Sequence, residues 1–259
     1  MDFEIIDFHT HPFIEPINNI CAHKEFCHMG AENTHEIFKQ LKISRICGSV
    51  VSTQPFSDPW EKIRHNNEAA LQLKEQYGDF YIPGFHVHPA YPEESIAEIH
   101  RMHRLGVNLI GELVPYLDGW SDYSTEAFSV LLEEAGRAGM VVSFHYTMND
   151  EDIDRMVSSH RDIVFVGAHP EEYPYLIRHI ERMKLYDNYY LDLSGTGLFR
   201  YGMLRRIIDE VGADRVLFGS DFPTCNTAMF LGGVLLDPLL TDTEKEKILA
   251  GNAKKILSL

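Results

Sequence analysis

Short runs of apolar, β-rich residues recur along the chain, and most are followed by a longer stretch with apolar residues at helical spacing. The runs are Glu4–His9, Arg45–Ser52, Phe80–His86, Val107–Leu113, Met140–His145, Ile163–Ala168, Tyr189–Ser194 and Arg215–Gly219. They are nearly continuous in apolar residues rather than alternating, which predicts strands buried on both faces, as in parallel sheets. Helices are predicted over Trp60–Tyr77, Pro92–Arg104, Ser124–Ala138, Asn149–His160, Glu171–Lys184 and Tyr201–Val211. A last helix is announced by Thr241-Asp242-Thr243-Glu244, a capping box with Thr241 as N-cap and Glu244 three residues on. Gly78, Gly106, Gly139 and Gly212 stand where helices should stop.

Strict β-α alternation builds either an open doubly wound sheet or a closed barrel. Eight units in 259 residues favour a single (β/α)8 TIM barrel spanning 1–259 as one domain. Two connections are longer than routine, Pro12 to about Ala31 and Phe222 to Leu240. Both leave the carboxyl end of a strand, the face on which barrels place their sites.

Composition narrows the partners. The chain is 44% hydrophobic and 24% charged, with a formal net charge of −16. Such a surface repels nucleic acid and anionic membranes, whose binding rests on Lys and Arg. No apolar run reaches the roughly 18 residues of a membrane span. The acidic opening Asp2-Phe3-Glu4 shows no signal-peptide pattern. Four cysteines in a chain of this length do not make a disulfide scaffold, so a reducing cytoplasm is expected. A small-molecule substrate is the expected partner, and self-association into a homo-oligomer is left open.

The chemistry sits at strand ends. The first strand closes Asp7-Phe8-His9-Thr10-His11, and residues two apart on a strand share a side, so His9 and His11 can grip one cation. The fifth strand ends in His145, the sixth in His169 and the eighth in Asp221, while the fourth carries Glu112. Six ionisable groups at the rim of an apolar barrel need a shared partner to offset their desolvation, and a divalent metal supplies it. Imidazoles with carboxylates suit zinc, and Mn, Fe or Co nearly as well. The count accommodates one or two ions: His9, His11 and Asp221 on one, His145 and His169 on the other, Glu112 between. The expected chemistry is attack by a metal-activated hydroxide on an amide, lactone or ester, with Asp221 and His169 as the catalytic groups and Asp221 carrying the proton.

Softer candidates surround this set. His86 and His88 form a second HxH at the third strand and, with Tyr146 and Arg200, are candidate substrate contacts. Asp192 lies on the seventh strand as a support, and Phe13, Tyr116 and Trp120 are candidate pocket walls. The segment Cys21–His28 reads as a loop over the mouth, a lid or a second zinc tract. His100, His103, His160 and His179 lie on helices, away from strand ends, as surface or interhelical residues.

The stretches Ile6-Asp7-Phe8-His9-Thr10-His11, Leu191-Asp192-Leu193-Ser194-Gly195, Leu217-Phe218-Gly219-Ser220-Asp221-Phe222-Pro223 and Ile248-Leu249-Ala250-Gly251-Asn252-Ala253-Lys254-Lys255-Ile256-Leu257 resemble the amidohydrolase superfamily. The resemblance is to its amidohydrolase-related branch, which includes aminocarboxymuconate-semialdehyde decarboxylase. It implies a barrel and a divalent metal, with His9, His11, His145, His169 and Asp221 in the metal and catalytic places. Glu112 departs from that branch, which generally uses one metal without a strand-four carboxylate. It is more like the two-metal branches that include phosphotriesterase-like proteins and TatD-type nucleases. Non-oxidative decarboxylation with a single ion, and a TatD-like phosphodiesterase, therefore stand as alternatives to hydrolysis.

Overall fold

The computed structural model describes residues 3–14, 31–52, 55–197 and 200–259. Eight strands carry the architecture: β1 (Ile6–Asp7), β2 (Arg45–Ser49), β3 (Tyr81–Phe85), β4 (Leu109–Leu113), β5 (Val141–His145), β6 (Val164–Ala168), β7 (Tyr189–Asp192) and β8 (Val216–Leu217). They pair in sequence order, parallel at every ladder. The ring closes between its first and last members, where Phe8 N–H donates to Phe218 O at 2.9 Å and Asp221 N–H to His9 O at 2.8 Å. The result is a (β/α)8 TIM barrel.

The helices are α1 (Ala31–Gln40), α2 (Pro59–Tyr77), α3 (Pro92–Arg104), α4 (Pro115–Asp118), α5 (Glu126–Arg137), α6 (Asp150–Ser159), α7 (Tyr173–Leu185), α8 (Met203–Val211), α9 (Thr227–Leu235), α10 (Asp242–Glu246) and α11 (Asn252–Leu257). All six helices marked by periodicity are present, and the Thr241/Glu244 capping box forms as the sequence predicts. Gly78, Gly106, Gly139 and Gly212 all adopt positive φ at helix ends, where a Cβ would be strained.

One expectation is corrected. The stretch Phe222–Leu240 is not an irregular loop, because it contains α9, started by Asn226 accepting from Met229 N–H at 3.2 Å. Its run Ala228-Met229-Phe230-Leu231 is apolar on most sides, which hid the helical period. The Cys21–His28 segment lies outside the described residues. No helix among the described residues is long and apolar enough to cross a membrane.

Two apolar layers follow from the register. Cys47, Leu109, Val141, Val166, Tyr190 and Leu217 fill the barrel, and Ala250, Ala253 and Leu257 pack against the same cluster. A larger cluster, including Ile46, Val142, Leu191 and Val216, faces the helices. Paired residues of parallel strands share a face, so the register assigns every strand position to one layer or the other.

Candidate metal centre

Simple alternation accounts for only part of the site. His145 is two residues beyond Ser143 and four beyond Val141, so it continues the inward face of β5. Asp192 pairs with Leu217 and also points inward. Ile6 and Phe8 occupy the barrel interior too, so alternation alone would turn His9 outward. The β1 ladder ends at Asp7, and the chain then breaks its alternation. The buried Asp7 carboxylate holds the break: its Oδ1 accepts Ser220 N–H at 2.9 Å and His9 N–H at 3.4 Å. Thr10 is tied to β2 through Cys47 O, and His11 N–H donates to Phe222 O. Thus β1 carries both imidazoles inward past its own end.

Glu112 is aimed by a bulge. Between the pairs Ile110↔Val142 and Leu113↔Phe144, β4 has one residue more than β5. The extra residue swings Glu112 inward, as bulges beside active sites do. Gly111 makes room, with φ 93° and a Cβ position that would lie 2.0 Å from Ser143 O. His169 and Asp221 take left-handed backbone conformations, φ 69° and 58°, unusual for residues with a side chain and concentrated at functional sites.

These devices bring six side chains to one place. His9 Nε2 and His11 Nε2 lie 3.3 Å apart, each 3.1 Å from Glu112 Oε2. Asp221 Oδ1 is 3.7 Å from the first nitrogen and 3.6 Å from the second. On the other side, Glu112 Oε1 is 3.0 Å from His145 Nδ1 and 3.3 Å from His169 Nε2, and those nitrogens are 3.2 Å apart. Glu112 therefore belongs to two donor triads, one through each oxygen.

The outer hydrogen bonds fix which atoms face inward. His11 Nδ1 meets Ser49 O, a carbonyl that can only accept, so Nδ1 carries the proton. His9 Nδ1 donates to Asp192 Oδ2 at 2.9 Å for the same reason. In the neutral rings both Nε2 lone pairs then face Glu112. Donors held ~2.0–2.2 Å from a common ion stand roughly 3–3.5 Å apart, so the spacing suits a divalent cation. The outer carboxylate and carbonyl are the orienting partners that metal-bound imidazoles use.

In the ion-free protein, protons take the cation's place. Burial disfavours charge on all these groups, but opposite neighbours outweigh it. Asp192 and Glu112 hold His9 well above the usual imidazole range. Glu112 lifts His169 to about 8 against its burial. Glu112 is itself held well below the carboxylate range, chiefly by His9.

The other predicted contacts lie apart from this cluster. His88 uses both ring nitrogens locally: Nδ1 accepts from Ala90 N–H at 3.0 Å and Nε2 donates to Asp118 O at 2.9 Å. Tyr146 is buried against His179, with its hydroxyl on Asp150, so it joins the helix layer rather than the mouth. Arg200 is exposed and paired with Glu172. His86 is buried, its Nδ1 3.4 Å from Asp118 Oδ2. Phe13 stacks with Phe222, and Trp120 packs on Phe128. Tyr116 alone of the aromatic candidates stands over the centre, exposed, its ring 5.4 Å from that of His145. Of the helical histidines, His179 and His160 are buried between elements, and His100 pairs with Glu134 on the surface. The sequence reading missed Ser194, although its position two residues after Asp192 signals the same side of the strand.

Fold and donor set together define a (β/α)8 barrel with a candidate divalent-metal centre at the carboxyl ends of its strands. Structures of similar fold include 2,6-dihydroxybenzoate decarboxylase from Rhizobium, at 16% identity and TM-score 0.76 over 99% of both chains. Another is 5-carboxyvanillate decarboxylase from Sphingomonas paucimobilis, at 14% identity and TM-score 0.74 over 99% of both. A dihydroxybenzoic acid decarboxylase from Polaromonas, with bound manganese and the inhibitor 2-nitroresorcinol, matches at 15% and 0.73 over 99% of this chain and 97% of that one. No curated protein matches significantly. The amidohydrolase profile matches residues 6–259, and the chain belongs to that family.

Proposed function

We propose that the protein is a metal-dependent hydrolase of a small-molecule amide, lactone or ester, with two divalent ions sharing Glu112. The observation that carries this reading is the pair of donor triads built on the two oxygens of that one carboxylate. His9, His11 and Asp221 would hold one ion, and His145 and His169 the other. Zinc suits the donors, and manganese is the ion named with a neighbour of similar fold. Bound there, such ions supply Lewis acidity, polarising a substrate oxygen and acidifying a water.

The chain's own residues divide the remaining work by which oxygens are free. Both oxygens of Glu112 are enclosed by imidazoles, and both of Asp192 are taken by His9 and Ser194. Among the described residues Asp221 Oδ2 meets only the thiol of Cys225, at a long 3.9 Å. Asp221 is therefore the group able to accept a proton from the attacking water and return it to the leaving group. Tyr116, standing over His145, offers an apolar face to a substrate entering the mouth.

Decarboxylation is the second reading, favoured by the named activities of the fold neighbours. It needs one ion and a His169 free to act on substrate. Metal analysis with anomalous scattering separates the two: about two ions per chain supports hydrolysis, and about one supports decarboxylation. With a substrate in hand, Asp221→Asn should lower kcat by roughly 10²–10⁴ while the protein stays folded. Full turnover in that variant would remove Asp221 from the proton path.

A further inference from the structure

Ser194 touches both halves of the centre from behind. Its Oγ lies 3.0 Å from His9 Nδ1 and 3.0 Å from His169 Nδ1, and it also bonds Asp192 Oδ1. The side chain is fully buried.

A hydroxyl has one proton to place. Asp192 is a carboxylate and only accepts: Oδ1 takes Ser194 N–H at 3.0 Å, and Oδ2 takes His9 Nδ1–H at 2.9 Å. The hydroxyl proton belongs on Asp192 Oδ1, which leaves only the lone pairs of Oγ facing His169. His169 must then donate from Nδ1, and its Nε2 is left bare toward Glu112 and His145. Glu112 pulls the other way, because an Nε2 proton would find its Oε1 at 3.3 Å. Among the described residues Ser194 Oγ is the hydrogen-bond partner of His169 Nδ1, so the balance between the tautomers rests on that hydroxyl. The ring lies close against the backbone of Gly195, where a Cβ would stand 2.3 Å from Nδ1.

We infer that Ser194 is a positioning residue that sets the tautomer of His169 and links that ring, through Asp192, to His9 in the other half of the centre. The geometry stands on these contacts alone, whereas its consequence for metal binding rests on the function proposed above.

The test uses the full chain labelled with 15N-histidine, stripped of divalent ions and held at a pH where the imidazoles are neutral. Two-bond proton–nitrogen correlations distinguish the tautomers, and His169→Gln assigns the signal. In the wild type, His169 should show a protonated Nδ1 and a bare Nε2. Ser194→Ala should shift it to the Nε2-protonated form, and Ser194→Thr, which retains the hydroxyl, should restore the first pattern. Metal affinity by chelator competition should fall roughly 10–100-fold in Ser194→Ala. An Nε2-protonated His169 in the wild type overturns the inference without any variant. So does an unchanged tautomer in a folded Ser194→Ala protein. If the wild type bound no divalent ion, the proposed function would fail while the nitrogen spectrum still decided the role of Ser194.

Discussion

Glu112 is the residue on which the two halves of the centre depend. It is buried among four imidazoles and turns one oxygen to each triad. Glu112→Gln keeps the shape and removes the charge, so chelator competition should show divalent-ion affinity reduced by more than about 100-fold, beyond the loss of an outer partner. Unchanged occupancy would exclude Glu112 as a ligand. The protons on the ion-free histidines give a second expectation. His169 titrates at about 8, raised by Glu112 against its burial. A cation must displace that proton and the one that Asp192 and Glu112 hold on His9, so ion affinity should climb with pH through about 8 and beyond it. Isothermal titration in buffers of different ionisation enthalpy would reveal the released protons; no release would mean His169 Nε2 is not a ligand.

At the scale of elements, the bulge in β4 and the packing of α7 on β7 make separate predictions. Gly111→Ala places a methyl against Ser143 O at a backbone angle that favours glycine. It should destabilise the protein by about 3 kcal/mol and weaken ion binding together, because the same bulge aims Glu112. Chemical denaturation showing no loss would mean the bulge tolerates a side chain. On α7, His179 is fully buried, and burial with the nearby Arg182 cation holds its pKa well below 6.5. It stays neutral in the fold, so its contribution to stability is complete above pH 6.5 and is lost as pH falls below that value. Denaturation curves across the acid range should flatten in His179→Gln relative to the wild type. Equal slopes would place the acid sensitivity elsewhere. Element positions were legible in the sequence because continuous apolar runs and helical spacing are local patterns. The helix α9 was not, since an almost uniformly apolar segment has no period to read.

For the whole molecule, ion binding should appear as stability. A cation at 100 times its Kd adds about 2.7 kcal/mol to a fold that binds it only when native. Thermal melting with and without chelator measures this, and an unmoved Tm would contradict a built-in cation site. The net charge of −16 belongs to this scale as well, since it shapes the long-range field rather than the fold. The chain by itself determined the eightfold β-α order, the capping signals and the residue types at the strand ends, all of which depend on neighbours in sequence. It did not determine which of those residues meet. Alternation places His145 inside, but His9 and Glu112 turn inward only through a broken strand end and a bulge, and His169 sits at the rim on a left-handed backbone. Those departures are set by contacts with adjacent strands, such as Asp7 with Ser220, and such contacts exist only once the barrel has closed.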